Sequence, residues 1–202
     1  MARANNYALQ ASRARQYFLG YDQQQLAEKC RLEQDERYLG TRLLGRPYRI
    51  DRKTGDLFRL ENGTWQEANT HAEVMTLLDL ICDSREDRHL CGRKKNMSDF
   101  GHQFHQELTE KNPTALQYQE NPEGLKAACL ALGGKPMPVG DVAYEIPLFE
   151  DLTIGLQFWL GDEEFAPRLR YLWDENALQY LKYETMYFAV DLLTERIRKL
   201  MK

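Results

Sequence analysis

The hydrophobic pattern changes period several times along the chain, and each change marks an element. Over Ala4–Leu19 the apolar residues Tyr7, Ala11, Ala14 and Phe18 recur at helical spacing, and Gly20 ends the run. Asp22 then opens a second, short helix with Leu26 and Cys30 on one face. Between Glu36 and Leu60 the character becomes β-favouring. Clusters around Tyr38–Leu44, Tyr48–Ile50 and Leu57–Leu60 are separated by Gly45-Arg46-Pro47 and Arg52-Lys53-Thr54-Gly55, which predicts three short strands, the last two a hairpin.

Helical spacing returns at Val74, Leu77, Leu78, Ile81 and Cys82, introduced by the capping-box sequence Thr70-His71-Ala72-Glu73. From Asp83 to Tyr118 periodicity weakens, with a basic stretch at Arg93-Lys94-Lys95 and a short helix expected around Phe100–Leu108. Asn121-Pro122 then places a capping residue before a proline at the first helical position. Leu125, Ala128, Cys129 and Leu132 form that helix's inner face, and Gly133-Gly134 closes it.

The clearest alternation follows: Val142, Tyr144, Ile146 and Leu148, then Leu152, Ile154, Leu156, Phe158 and Leu160, joined at Phe149-Glu150-Asp151. A third strand over Leu169, Tyr171 and Trp173 leads to Asp174, positioned to accept from the free amides of a long final helix that runs toward Lys202. The expected class is α+β, mainly antiparallel, with two three-strand units, flanking helices and a long C-terminal helix. The expected organisation is one domain over 1–202, subdivided into a helix and strand unit (1–84), an irregular connector (85–120) and a helix, three-strand, helix unit (121–202).

Composition narrows the function classes. With 43% hydrophobic and 29% charged residues, the 202-residue chain can bury a full core. A net charge of −4 gives no general attraction for nucleic acid or an anionic membrane, and no stretch approaches a membrane-spanning length. Cys30, Cys82, Cys91 and Cys129 are scattered, and no signal-peptide core is present, so a reducing cytoplasm is the expected location.

Carboxylates supply the first candidate chemistry. Asp141 follows a glycine-rich loop, Asp162-Glu163-Glu164 follows a strand, and Asp174 precedes the last helix, all at element ends where rigid strands can support a binding site. Converging carboxylates would bind a hard cation or act as acid and base. The competing structural reading is that Asp174 caps a helix, Asp141 orders a turn and the acidic triplet is a solvated hairpin end. Trp159 lies on the strand face opposite Phe158, beside Thr153, Gly155 and Gln157, which leaves room for a ligand or partner.

A second cluster, His89, Cys91, His102 and His105, carries side chains suited to zinc, but without the CxxC or HExxH spacing that would make the signal specific. No nucleophile-elbow or phosphate-loop motif occurs.

The segments Gly133-Gly134, Gly140-Asp141, Phe158-Trp159-Leu160-Gly161-Asp162-Glu163-Glu164-Phe165, Leu172-Trp173-Asp174, Tyr180-Leu181 and Glu184 resemble the C-terminal signature of the family called domain of unknown function 3786. Weaker similarity extends through Asn6-Tyr7, Leu44-Gly45-Arg46-Pro47-Tyr48 and Leu77-Leu78. Members of that family are found mainly in anaerobic bacteria and archaea, and some carry an added cysteine-rich module like that of corrinoid iron–sulfur proteins. The resemblance therefore implies an accessory or ligand-binding domain in anaerobic redox or corrinoid-linked metabolism, with a corrinoid or iron–sulfur protein as partner. This chain has no four-cysteine cluster motif of its own. The alternatives are a metal-dependent enzyme using the acidic loop ends or the histidine cluster, and a tetrapyrrole binder with an axial histidine.

Overall fold

The computed structural model describes residues 2–100 and 113–201. They form two compact units, one comprising the chain up to His89 together with Leu178–Ala189, the other Leu90–Ala177 together with Val190–Lys202. The predicted helix over residues 100–108 lies almost entirely outside the described residues.

In the first unit, α1 (Ala2–Gly20) and α2 (Gln23–Lys29) precede five strands, β1 (Glu33–Gln34), β2 (Tyr38–Leu43), β3 (Arg46–Asp51), β4 (Leu57–Glu61) and β5 (Thr64–Glu67), followed by α3 (His71–Cys82). Asp22 caps α2 by accepting from the amides of Gln24 (2.9 Å) and Gln25 (3.2 Å). The five strands form a simple antiparallel meander in chain order. Asp51 shapes the β3–β4 turn by accepting from the amides of Lys53 and Thr54, and Gly55 supplies the left-handed residue (φ 72°) that the turn requires. Leu39, Ile50 and Leu57 point inward and are fully buried, as are Val74, Leu77 and Ile81 of α3, which also packs along α1. The capping box is formed in full: Thr70 accepts from the Glu73 amide, and the Glu73 side chain accepts from the Thr70 amide.

In the second unit, β6 (Lys94–Asn96), α4 (Pro113–Glu120) and α5 (Pro122–Ala131) are followed by β7 (Lys135–Pro136), β8 (Val142–Phe149), β9 (Leu152–Trp159) and β10 (Arg168–Asp174). These strands make an antiparallel sheet in the order β6-β10-β9-β8-β7. Its core is therefore the same three-strand meander as in the first sheet, with short strands added at the edges. Those edge strands of two to four residues are too short to show a period. The basic stretch Arg93-Lys94-Lys95, expected within the irregular connector, leads into β6, and Arg93 and Lys95 pair with Glu175 and Lys94 with Glu145. Tyr118 of α4 meets Phe158 edge-on, with ring centroids 6.0 Å apart.

The long final helix, α6 (Tyr183–Leu200), begins later than its apparent cap suggests. Asp174 instead accepts from the amides of Asn176 (2.9 Å), Cys91 (3.1 Å) and Gly92 (2.8 Å). A single 3-10 turn, Ala177–Gln179, intervenes, and the amide of Lys182 donates to Asp79 at 2.8 Å. The chain thus spends eight residues between the carboxylate that looks like a cap and the helix itself.

Candidate functional site

The sequence-predicted carboxylates fall at two opposite rims of the second sheet. Trp159 pairs with Arg168 at one end of β9 and β10, and Val142 pairs with Phe158 beside them. This end carries Asp141, Trp159 and the Gly161–Phe165 loop. Asp174, paired with Lys94, lies at the other end with Cys91.

At the first rim the loop is built by its own polar groups. Asp141 Oδ2 accepts from the Leu160 amide at 2.8 Å. Asp162 Oδ1 accepts from the amides of Phe165 (2.8 Å) and Glu164 (2.9 Å), and these two bonds hold its carboxyl below the usual range. Gly161 is hydrogen-bonded on both sides by Gln119 and sits so close to Pro167 that a Cβ there would lie 2.6 Å from the proline nitrogen. Glu163, Glu164 and Phe165 are exposed. Trp159 occupies the face opposite the buried Phe158, half-covered, with the guanidiniums of Arg170 and Arg168 at 5.5 and 6.0 Å from its ring.

Of the predicted metal-ligand residues, His89 is exposed on the first unit, its Nδ1 3.1 Å from the Asp87 carbonyl. Cys91 is half-buried in the second unit, its thiol directed at Asp174 Oδ1 (3.4 Å). His102 and His105 lie outside the described residues. Among the described residues no group of three or more His, Cys, Asp or Glu side chains is arranged to hold a metal ion. All four cysteines are free thiols, and burial pushes Cys82 and Cys129 up to about 12.

A better-developed constellation lies elsewhere, in the first unit. A groove of about 560 Å³ runs between α1, α3 and the segment Lys182–Phe188. Tyr17, Tyr21, Met75, Leu78 and Phe188 give it apolar walls. At one end sit Asp79, Asp83, Lys182 and Thr185. The Lys182 ammonium is 3.0 Å from Asp79 Oδ1 and also pairs with Asp83, while the Tyr21 hydroxyl donates to Asp83 at 3.3 Å.

The two carboxyls are one helical turn apart, yet their environments differ. Asp79 is buried, and desolvation, followed by a hydrogen bond to Asp83, raises its affinity for a proton. Desolvation also acts on Asp83, but hydrogen bonds from Asp79, Lys182 and Tyr21 outweigh it and hold Asp83 below its ordinary value. Burial likewise works against the Lys182 charge and is overcome by the two aspartates, so the ammonium holds its proton more firmly than a free lysine. The surroundings thus push the proton affinities of the two carboxyls in opposite directions.

The sequence offered one signal for this groove: Asp79 interrupts the apolar run from Val74 to Ile81 on a helix that is otherwise buried. The partners that give it meaning come from residues about 60 and 100 positions away and share no motif with it.

Fold and sites together define an α+β protein of two units, each built on a five-stranded antiparallel sheet with a central meander, and with a groove lined by helices in the first unit. The chain belongs to the family described as domain of unknown function 3786, whose profile matches residues 22–196. No curated protein and no solved structure matches it.

Proposed function

We propose that the chain is an accessory, ligand-binding domain that takes up a small, partly apolar molecule in the groove between α1, α3 and the start of α6. The observation that carries this reading is the Asp79–Asp83 pair, bridged by Lys182 and joined by Tyr21, in a cavity walled by aromatic and aliphatic side chains. A volume of about 560 Å³ falls within the roughly 300–1,000 Å³ of sites that hold small molecules, and few converging polar groups on apolar walls are their usual lining. The polar end offers acceptors, an ammonium and a phenol, so the ligand that fits has an apolar body and a polar head with both donors and acceptors.

The separated proton affinities of Asp79 and Asp83 favour a second reading, an enzyme using the pair as acid and base. A role in anaerobic redox or corrinoid-linked metabolism rests on the family resemblance. On the same ground the rim carrying Trp159, Asp162, Glu163 and Glu164 is the surface proposed for a corrinoid or iron–sulfur protein partner.

Ligand-observed NMR with a mixture of small amines, alcohols, carboxylic acids and aromatic heterocycles tests the groove. At least one component is expected to receive magnetisation from the wild-type protein, and to lose that transfer in Ala14→Trp. Ala14 lines the groove from α1 and is half-buried, so an indole there fills the cavity without entering the core. An empty screen on the wild-type chain, or binding that survives in Ala14→Trp with the fold intact by circular dichroism, would reject the groove.

A further inference from the structure

The outer face of the first sheet holds an arginine whose surroundings differ from those of its neighbours. Alternation along β2, β3 and β4 places Gly40, Arg49 and Phe58 in one row across the sheet, since Gly40 pairs with Arg49 and Arg49 with Phe58. The Arg49 guanidinium carbon lies 4.1 Å from the Tyr38 ring centroid, 4.4 Å from that of Trp65 and 5.3 Å from that of Phe58. Three rings thus surround one cation, which suits the flat, weakly hydrated guanidinium far better than an ammonium.

Other arginines of this sheet are satisfied by protein groups. Arg37 pairs with Asp51, Arg46 with Glu61, and Arg59 with Glu61 and Glu73. Arg49 has neither a hydrogen bond nor an ion pair among the described residues, and its Nε is buried without a partner. A buried Nε–H without a partner requires an explanation, because desolvating it without replacing its hydrogen bond costs free energy.

The space beside it supplies one. A cavity of about 340 Å³ opens there, lined by Arg49, Tyr38, Trp65, Gly40 and Arg42 among others. Gly40 contributes no side chain of its own, and the Glu33 side chain packs over it, its Oε2 3.5 Å from where a Gly40 Cβ would stand. A guanidinium packed on ring faces keeps its N–H donors in its own plane, available to a further partner. That fork matches the two oxygens of a carboxylate or phosphoryl group.

The geometry points to an oxyanion-binding site on the outer face of the β2–β3–β4–β5 sheet, with Arg49 as the bidentate donor, its aromatic neighbours as the support that fixes its plane, and Arg42 as a second cation at the rim. Glu33 and Asp35 border the same cavity and set its charge limits. The Asp35 carboxylate is engaged by the amides of Tyr38 (2.6 Å) and Arg37 (2.7 Å). Two acids beside two arginines favour a single oxyanion on an otherwise neutral or cationic molecule, and disfavour a polyanion such as a nucleic-acid strand. The site is separate from the proposed groove, and no residue is common to the two linings.

Amide and indole NMR titration of the full chain with acetate, and separately with inorganic phosphate, tests the assignment at constant ionic strength against sodium chloride. A saturable shift is expected at Gly40, residue 49 and the Trp65 indole, with an affinity in the millimolar range for one isolated contact. Saturation with acetate alone assigns a carboxylate, with phosphate alone a phosphoryl group, and with both the shared oxyanion chemistry. Arg49→Met keeps an apolar stem against the rings and should weaken binding at least about tenfold, whereas Ala14→Trp in the groove should leave it unchanged. Equal shifts with chloride, no saturable shift with either anion, or an unaltered titration in Arg49→Met would overturn the proposal.

Discussion

Replacing Arg59 by methionine is expected to cost about 3–5 kcal/mol of stability, a loss characteristic of a buried charge left without its counterion. Glu73 stands only 4% exposed at the start of α3. Its Oε1 accepts from the Tyr48 hydroxyl and from Arg59 Nη1, both at 3.0 Å, while Oε2 accepts from the Thr70 hydroxyl at 2.8 Å and again from Arg59 at 3.2 Å. One carboxylate thereby fastens strand β3, strand β4 and the N-cap of α3. Methionine preserves most of the stem's packing, so the loss reports the charge rather than a cavity. Urea denaturation of the single variant, of Glu73→Gln and of the double variant closes the cycle. The double variant should recover stability relative to Arg59→Met, because it removes the stranded charge. A single-variant loss below about 1 kcal/mol would mean that the pair behaves like an exposed one.

This network shows which parts of the fold the sequence carried. Thr70 and Glu73 stand three apart ahead of an apolar helical run, a local arrangement whose geometry follows from spacing, and the structure forms it in full. The central strands were equally legible, because a buried face imposes a period of two over five to eight residues. Asn121-Pro122 and Gly133 marked α5 for a similar reason: the cap, the fixed proline φ and the left-handed glycine (φ 77°) each act on neighbouring residues. The short edge strands and α4 were not legible, since two to four residues show no period and α4 buries only Ala115 and Tyr118.

The functional constellations were harder to read because their residues meet only through tertiary structure. Nothing local distinguishes Arg49 from Arg46 or Arg59; what separates them is which cross-strand partners the β2–β3–β4–β5 register supplies. Arg59 faces inward to Glu73, and Arg49 faces outward to three rings. Lys182 is likewise an ordinary residue until α3 places two aspartates against it. At the other extreme, Asp141 and Asp162 stood out by their position at strand ends, where each carboxylate accepts from backbone amides of the loop that closes that end. The strand-end position was legible, but the use of the carboxylates as loop anchors depended on the backbone geometry.

Asp174 illustrates the same difficulty and gives the second large expected effect. Its carboxylate is 1% exposed and collects three backbone amides, two of them from the Cys91-Gly92 turn and the third from Asn176. Asp174→Ala leaves those donors without an acceptor and should cost about 3–5 kcal/mol, at roughly 1–3 kcal/mol for each buried group left unsatisfied, less what water recovers at the turn. Hydrogen exchange at the Gly92 amide provides a local readout, because its protection should fall further than that of the amides in β9. The pH dependence has a definite sign. Desolvation alone would raise the pKa of Asp174, but the amides of Asn176, Cys91 and Gly92 outweigh it and hold the folded-state value below the ordinary one. Above the unfolded value of about 3.9 the carboxylate is ionised in both states and its stabilisation is complete. As the pH falls below that value the unfolded chain takes up the proton first, and the stabilisation is lost until the folded carboxyl is protonated as well. The gap in denaturation midpoint between wild type and Asp174→Asn should therefore be constant from pH 5 upward and narrow below about 4. A gap that widens on acidification would show that the folded protein binds the proton more tightly, contrary to the three-amide geometry.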